Sequence, residues 1–302
     1  MPTRARIEVL AQIPSFYPTL PYRAIFIWWW AGDGPMNRMK DRVAIITGAA
    51  LGYQSGGPSI GSAIAFKFAS EGAQIVVVDI NKTMGQRTAD TIIREGGNAI
   101  FVPCDVSVST DVQNVLMTTK NTYSRVNCLV NCAASYRGNI FQNVVDTPEA
   151  DWKHIIDVNL NGYYRFAKYT IPQMLDSGGG TIVNISSMAS FTVVKNFSVY
   201  PVTKAGINAL TRTIAVDFAP RIRCNAICPG FVRIANSEGQ RTTEEVDTWI
   251  TQIAATYPLQ RVCSVNEIAN VAAFLASDES SYLTGECILM DGARSISDTH
   301  EF

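Results

Sequence analysis

Tyr200 and Lys204 stand four residues apart, and Ser187 precedes Tyr200 by thirteen. With Tyr200 in the first turn of a helix, Lys204 falls on the same face one turn further on. A phenol of ordinary pKa ~10 is a poor acid or base at neutral pH, and a neighbouring ammonium favours its phenolate, so Lys204 is expected to lower the Tyr200 pKa. Tyr200 could then exchange a proton with a substrate oxygen. Tyrosine with lysine one turn on is also an ordinary surface pattern, so the pair gains meaning only from what surrounds it.

The elements that must position this pair are written around it. Thr181–Ile185 is a β-branched run after three glycines and reads as a buried strand, with Ser186 and Ser187 at its carboxyl end. Ligands of open parallel sheets bind at that edge. Other strands are expected at Val43–Ile46, Gln74–Asp79, Ala99–Cys104, Cys128–Val130, Ile222–Ile227 and Cys287–Met290. Helices are expected at Ile60–Ser70, Lys82–Glu95, Val112–Tyr123, Asp151–Met174 and from Tyr200 to about Phe218. Strands separated by helices of this length pair in parallel through right-handed crossovers, giving an α/β domain of about seven strands with helices on both faces.

A glycine-rich turn, Thr47-Gly48-Ala-Ala-Leu-Gly52, links the first strand to the first helix, a placement in which backbone amides and a helix N-terminus hold a pyrophosphate. Asp79 ends the second strand. A carboxylate there accepts from a ribose 2′-hydroxyl and repels a 2′-phosphate, which favours NAD(H) over NADP(H). The residue after it is Ile80, not arginine. A glycine turn alone is often just a tight connection.

With these features the chain, nearly everything from Val43 to Gly292, resembles the short-chain dehydrogenases/reductases with a Tyr-x-x-x-Lys centre. The likeness is carried by Thr47-Gly48 and the following glycines, Cys104-Asp105-Val106, Asn131-Cys-Ala-Ala134, Val158-Asn159-Leu-Asn-Gly162, Ser187, Tyr200, Lys204, Pro229-Gly230-Phe-Val232, Thr284-Gly285 and Asp291-Gly292. The resemblance implies a Rossmann-like doubly wound sheet and assigns roles. Tyr200 would be the general acid/base; Lys204 would lower its pKa and bind the nicotinamide ribose. Ser187, chosen over Ser186 for its spacing to Tyr200, would orient the substrate oxygen, and Asn159 would hold a water of the proton relay. Gly48, Gly52, Ile60 and Gly61 would form the pyrophosphate turn. Asp105 and Val106 would flank the adenine, Asn131 and Ala133 would line the middle of the cofactor, and Pro229, Gly230 and Val232 would cover the nicotinamide. Plainer roles stand beside these: Asn159 could bridge helices, Asp105 could cap the following helix, and Pro229-Gly230 could be an ordinary turn.

Three departures from the family pattern stand out. Removing Tyr53 to Ser59 would run Gly52 into Ile60-Gly61 and restore Gly-x-x-x-Gly-x-Gly. Such an insertion could loop outward at small entropic cost or obstruct the cofactor, and the outward loop is expected. Ala134 replaces a usual glycine. Pro201 follows Tyr200, which must therefore sit at the helix start.

Residues 231–265 are expected to form a substrate lid, helical around Glu244 to Ala255, within a domain of residues 39–302. Phe191, Val193, Val194, Phe197 and Tyr257 suggest an apolar pocket, or equally core or a dimer surface; Arg137 and Lys195 could meet a substrate carboxylate but are isolated charges of little weight. The 302 residues suffice for a sizeable core, and a net charge of −1 without basic blocks gives no support for nucleic-acid binding. The seven cysteines lack metal spacing. Cys128 and Cys132, like Cys224 and Cys228, would sit ~13 Å apart along strands, too far to bridge, so they read as buried thiols of a reducing, cytoplasmic compartment. Residues 1–38 read as a poorly ordered extension. Its apolar run Ala24–Ala31 is eight residues long, against the ~20 needed to span a bilayer, so no membrane role is expected beyond a possible interfacial anchor.

These readings converge on an NAD(H)-dependent oxidoreductase that interconverts a secondary alcohol and a ketone, on a mid-sized apolar or cyclic small molecule. A 3-oxoacyl-thioester reductase using NADPH and a non-catalytic member with an impaired cofactor turn are the alternatives. The resemblance further implies a homo-dimer or homo-tetramer.

Overall fold

The computed structural model describes residues 37–52, 57–138, 140–234 and 243–297. The extension up to Met36, the insertion's residues 53–56 and residues 235–242 of the expected lid lie outside the described residues. Arg38, read from sequence as part of the extension, is anchored: its Nε donates to Glu71 at 2.8 Å.

Seven parallel strands form the sheet: β1 (Val43–Thr47), β2 (Gln74–Asp79), β3 (Asn98–Pro103), β4 (Cys128–Asn131), β5 (Gly180–Ile185), β6 (Ile222–Pro229) and, after two short strands, β9 (Cys287–Met290). Their spatial order is β3-β2-β1-β4-β5-β6-β9, every pair parallel. The runs VAIIT and CLVN are buried at every position, as expected where both faces are covered. The short strands β7 (Val232–Arg233) and β8 (Cys263–Ser264) pair apart from this sheet.

Helices α1 (Ile60–Ser70) and α2 (Lys82–Arg94) cover one face, and α3 (Ser109–Tyr123) covers the other. The expected Asp151–Met174 helix is longer and broken: α4 (Glu149–Ile156) runs through a π-helical segment, Asp157–Asn161, into α5 (Gly162–Asp176). Then come α6 (Val199–Phe218), α7 (Thr243–Ala254) and α8 (Val265–Ala276). Sequence reading missed α8, although Ser264 and Glu267 write a reciprocal capping box at its start. Ile268 and Leu275 of α8 join Ile64 and Phe68 of α1 in one core cluster, while Leu116, Phe166, Met174 and Ile214 from α3, α5 and α6 fill the other. Each such fully buried side chain contributes about 1.5–3 kcal/mol.

Two smaller corrections follow from the register. Cys104 lies beyond β3 and Cys132 beyond β4, so the Cys128–Cys132 separation is not set by a continuous strand. All seven cysteines are free. Among the described residues no helix is long and apolar enough to cross a membrane.

Candidate active site

The strand order reverses direction between β1 and β4, and in such sheets ligands lie in the crevice beyond the carboxyl ends of those two strands. Gly48 follows β1 there with φ +65°, and a Cβ on it would stand 2.7 Å from Ala133 Cα. A Cβ on Gly61 would stand 2.2 Å from the Gly48 carbonyl oxygen. The turn, the first turn of α1 and the end of β4 therefore meet backbone to backbone, which only glycine allows.

The insertion returns to this turn in register. Gly52 N donates to Gly57 O at 2.8 Å, and Ser59, the insertion's last residue, caps α1 while its hydroxyl donates to Ala50 O at 2.8 Å. Ile60 opens the helix and packs on the core. Ala134 has no positive φ, so this backbone does not require glycine there.

Asp79, at the end of β2, accepts from Ala50 N at 3.0 Å and Asn81 N at 2.9 Å. Burial pushes its carboxyl above the usual range, with the backbone amides opposing. Asp105 does not cap α3, whose N-cap residue is Val108; it accepts from the backbone and hydroxyl of Ser107 instead. Val106 is buried against Gly162. Asn131 is buried at the end of β4; its amide donates to Asn184 Oδ1 at 2.9 Å, while its own Oδ1 has no hydrogen-bond partner. A glycine-only turn over a helix start, a carboxylate at the end of β2 and this orphaned acceptor fit a bound dinucleotide.

The second group of expected residues converges at the end of β5. Tyr200 is the second residue of α6, as Pro201 requires, and Lys204 lies one turn on, 2% exposed. The Lys204 ammonium is 5.4 Å from the Tyr200 ring centre and 5.5 Å from that of Tyr163. It donates to Ile185 O at 2.9 Å, which also accepts from the Tyr163 hydroxyl at 3.0 Å. Ser186 turns away and donates to Lys204 O, whereas Ser187 opens a short 3₁₀ turn beside Tyr200. Asn159 lies fully buried in the π-helical segment, accepting from Ser135 N at 2.7 Å and donating to Ser135 O at 3.1 Å. It thus ties the loop after β4 to the helix pair.

The expected lowering of the Tyr200 pKa is overturned. Burial pushes the phenol well above its ordinary value, the Tyr136 and Tyr163 phenols add to the rise, and only Ser187 opposes it. Burial also lowers the Lys204 ammonium to about 8. Desolvation outweighs the proximity that the Tyr-x-x-x-Lys spacing encodes.

Pro229 ends β6; Gly230 N donates to Met290 O, and a Cβ on Gly230 would meet the Tyr257 ring at 3.0 Å. Val232 lies in β7. Tyr257, which sequence left open between an apolar pocket, the core and a dimer surface, is buried and accepts from Phe231 N at 2.7 Å, so it props this turn. Sequence reading missed Tyr136, whose ring stacks on Tyr200 at 5.5 Å, and Tyr163; neither belongs to a spacing pattern that points at Tyr200.

A family model described as enoyl-(acyl carrier protein) reductase matches residues 56–293. The chain is 35% identical over 266 residues to oxidoreductase UcpA of Salmonella typhimurium, covering 86% of this chain and 97% of that protein. It is 31% identical over 264 residues to cyclohexanol dehydrogenase of an Acinetobacter strain, covering 85% and 96%. The structure of Thermoplasma acidophilum aldohexose dehydrogenase superposes with a TM-score of 0.76 at 32% identity, covering 88% of this chain and 99% of that one.

Proposed function

The chain belongs to the short-chain dehydrogenase/reductase family, an oxidoreductase family, and from that premise we propose that it interconverts a secondary alcohol and a ketone with NAD(H). The observation that carries this reading is the meeting of Ser187 and Lys204 at Tyr200, on the sheet edge that also carries the glycine-only turn, with Asn159 in the π-helical segment that packs on α6. In the proposal Gly48, Gly52, Ile60 and Gly61 cradle the pyrophosphate, Asp79 takes the adenosine ribose, and Asp105, Val106, Asn131 and Ala133 line the adenine and the middle of the dinucleotide. Pro229, Gly230 and Val232 cover the nicotinamide. When bound, the dinucleotide supplies the two-electron hydride exchange.

The protein's part is the proton. The Tyr200 phenol, held neutral by burial, gives its proton to a ketone oxygen that the Ser187 hydroxyl orients; in the reverse direction Tyr200 takes the alcohol proton back. Lys204 holds the nicotinamide ribose hydroxyls and supplies the positive charge that stabilises the phenolate once the proton has left. Asn159 keeps the Ser135 backbone in place and orders the route by which the proton is replenished. A carboxylate at Asp79 followed by the exposed aliphatic Ile80 disfavours a 2′-phosphate, which supports NAD(H) over NADP(H).

The test is Tyr200→Phe, assayed for turnover and separately titrated with NADH by fluorescence. We expect turnover to fall by about 10²–10⁴-fold with the dissociation constant within a few-fold of the parent. Near-normal turnover would falsify the assignment of Tyr200.

A further inference from the structure

The Tyr200 hydroxyl already has a phenolic neighbour. Tyr136 Oη lies 3.4 Å from Tyr200 Oη, and the two rings stack at 5.5 Å and 26°. Phe197 stacks on Tyr200 at 5.1 Å and Phe141 on Phe197 at 5.1 Å, so four aromatic rings run in series, Tyr136–Tyr200–Phe197–Phe141, with both ends in the loop after β4. The two loops are laced together: Ser198 N donates to Gln142 O, and the Thr147 and Ser198 hydroxyls are 2.7 Å apart.

The position of Tyr136 is determined by its neighbour. The Ser135 backbone is clamped on both sides by the Asn159 amide, and its hydroxyl lies 3.0 Å from His154 Nε2 and accepts from Arg137 N. The backbone is thus fixed, while the Tyr136 side chain is 53% exposed overall, with its phenol desolvated where the ring stacks on Tyr200. Phe141, at the far end of the stack, is 63% exposed.

A substrate oxygen that exchanges a proton with Tyr200 must come within hydrogen-bond distance of Tyr200 Oη, the place where the Tyr136 hydroxyl now sits. We propose that Tyr136 is a positioning and specificity-determining residue: its hydroxyl occupies the substrate oxygen's place until substrate displaces it, and its ring then forms the wall against which a flat or cyclic ketone lies. This rests on the reading of Tyr200 as the proton-transferring group.

The hydroxyl and the ring have separable consequences. The hydroxyl competes with substrate and holds the Tyr200 phenol neutral, whereas the ring supplies apolar area and stacking beside the reacting carbon. The other groups that face this pair are the Tyr163 phenol, the Ser187 hydroxyl, the Lys204 ammonium and the Cys132 thiol; none of them changes in the variants below.

The experiment compares Tyr136→Phe and Tyr136→Ala with the parent, using cyclohexanone and 2-hexanone as probes, with NADH titration as the control that each variant folds and binds. For Tyr136→Phe we expect KM for both ketones to fall by about fivefold, the value of one competing hydrogen bond, and the alkaline limb of the pH–rate profile to move to lower pH. For Tyr136→Ala we expect the ratio of kcat/KM for the cyclic to the acyclic ketone to fall by about tenfold. An unchanged KM and pH profile in the first, or a ratio within about twofold of the parent in the second, overturns the proposal. If Tyr200→Phe reduces both ketones as fast as the parent, the reading of Tyr200 falls and this inference with it; the Tyr136 variants failing while Tyr200→Phe is inert rejects the inference alone.

Discussion

The Lys204 ammonium lies 5.4 Å from the centre of the Tyr200 ring, and its hydrogen bond goes to the Ile185 carbonyl 2.9 Å away. The cation is therefore pinned to the end of β5, not to the phenol. Burial sets the state of both groups: it raises the phenol and lowers the ammonium.

A pH dependence follows for dinucleotide binding. The Lys204 pKa of about 8 means that its positive charge is fully present below that value and is lost as pH rises through it. If Lys204 holds the ribose hydroxyls, NADH affinity should weaken from pH 7 to pH 9.5. In Lys204→Met affinity should be weaker throughout and flat across the same window. Parallel curves for the two proteins in a fluorescence titration would remove Lys204 from the cofactor site.

Cofactor choice should move with the end of β2. The Asp79 carboxylate accepts from Ala50 N and Asn81 N, so it shapes the glycine turn as well as presenting negative charge. Asp79→Asn keeps an acceptor oxygen and removes the charge. We expect the kcat/KM ratio of NADH to NADPH to fall by at least about tenfold, chiefly through better use of NADPH. A ratio that stays put would mean that Asp79 serves only the turn.

What was legible in sequence was local. Glycines at fixed offsets, β-branched runs and Pro201 after Tyr200 placed the sheet, most helices and Tyr200 at the start of α6. What escaped depends on where distant backbones meet. Helix α8 follows the segment read as a lid, and its small-residue face finds its purpose only against α1. Tyr136 lies in an irregular loop whose course is set by Asn159, 23 residues on, and no periodicity in the chain links it to Tyr200. The Tyr200 pKa was misjudged for the same reason: a spacing rule reports which groups are near but not how deeply the fold buries them.

Alkaline stability carries a second signature of burial. Desolvation raises the Cys104, Cys132 and Cys224 thiols to about 12 and Cys128 to about 11, above the ordinary thiol value. Groups raised on folding contribute stability that is whole below the unfolded pKa of ~9 and is lost as pH climbs towards the folded values. Lys204 and Cys228, both lowered, work oppositely, but Cys263 and the phenols of Tyr136, Tyr163 and Tyr200 are raised and add to the four thiols. The denaturant midpoint should therefore be lower at pH 10.5 than at pH 8, and Cys224→Ala should narrow the gap. A midpoint equal at the two pH values would show that these thiols titrate normally in the fold.

The closest backbone approach in the cofactor crevice gives the sharpest structural test. A Cβ at Gly61 would lie 2.2 Å from the Gly48 carbonyl oxygen and 2.8 Å from its carbon, both backbone atoms that cannot swing aside. Gly61→Ala must push α1 away from the turn. We expect a loss of about 1–3 kcal/mol in stability, the usual cost of overpacking, together with loss of measurable NADH binding. Gly96→Ala is the control: with φ +88° but nothing within 4 Å of its added Cβ, it should strain the backbone at the end of α2 and leave NADH affinity intact. The contrast separates general destabilisation from damage to the crevice, because both variants lower the melting temperature while only one should lose the dinucleotide. If Gly61→Ala binds NADH as the parent does, the pyrophosphate does not rest on this turn.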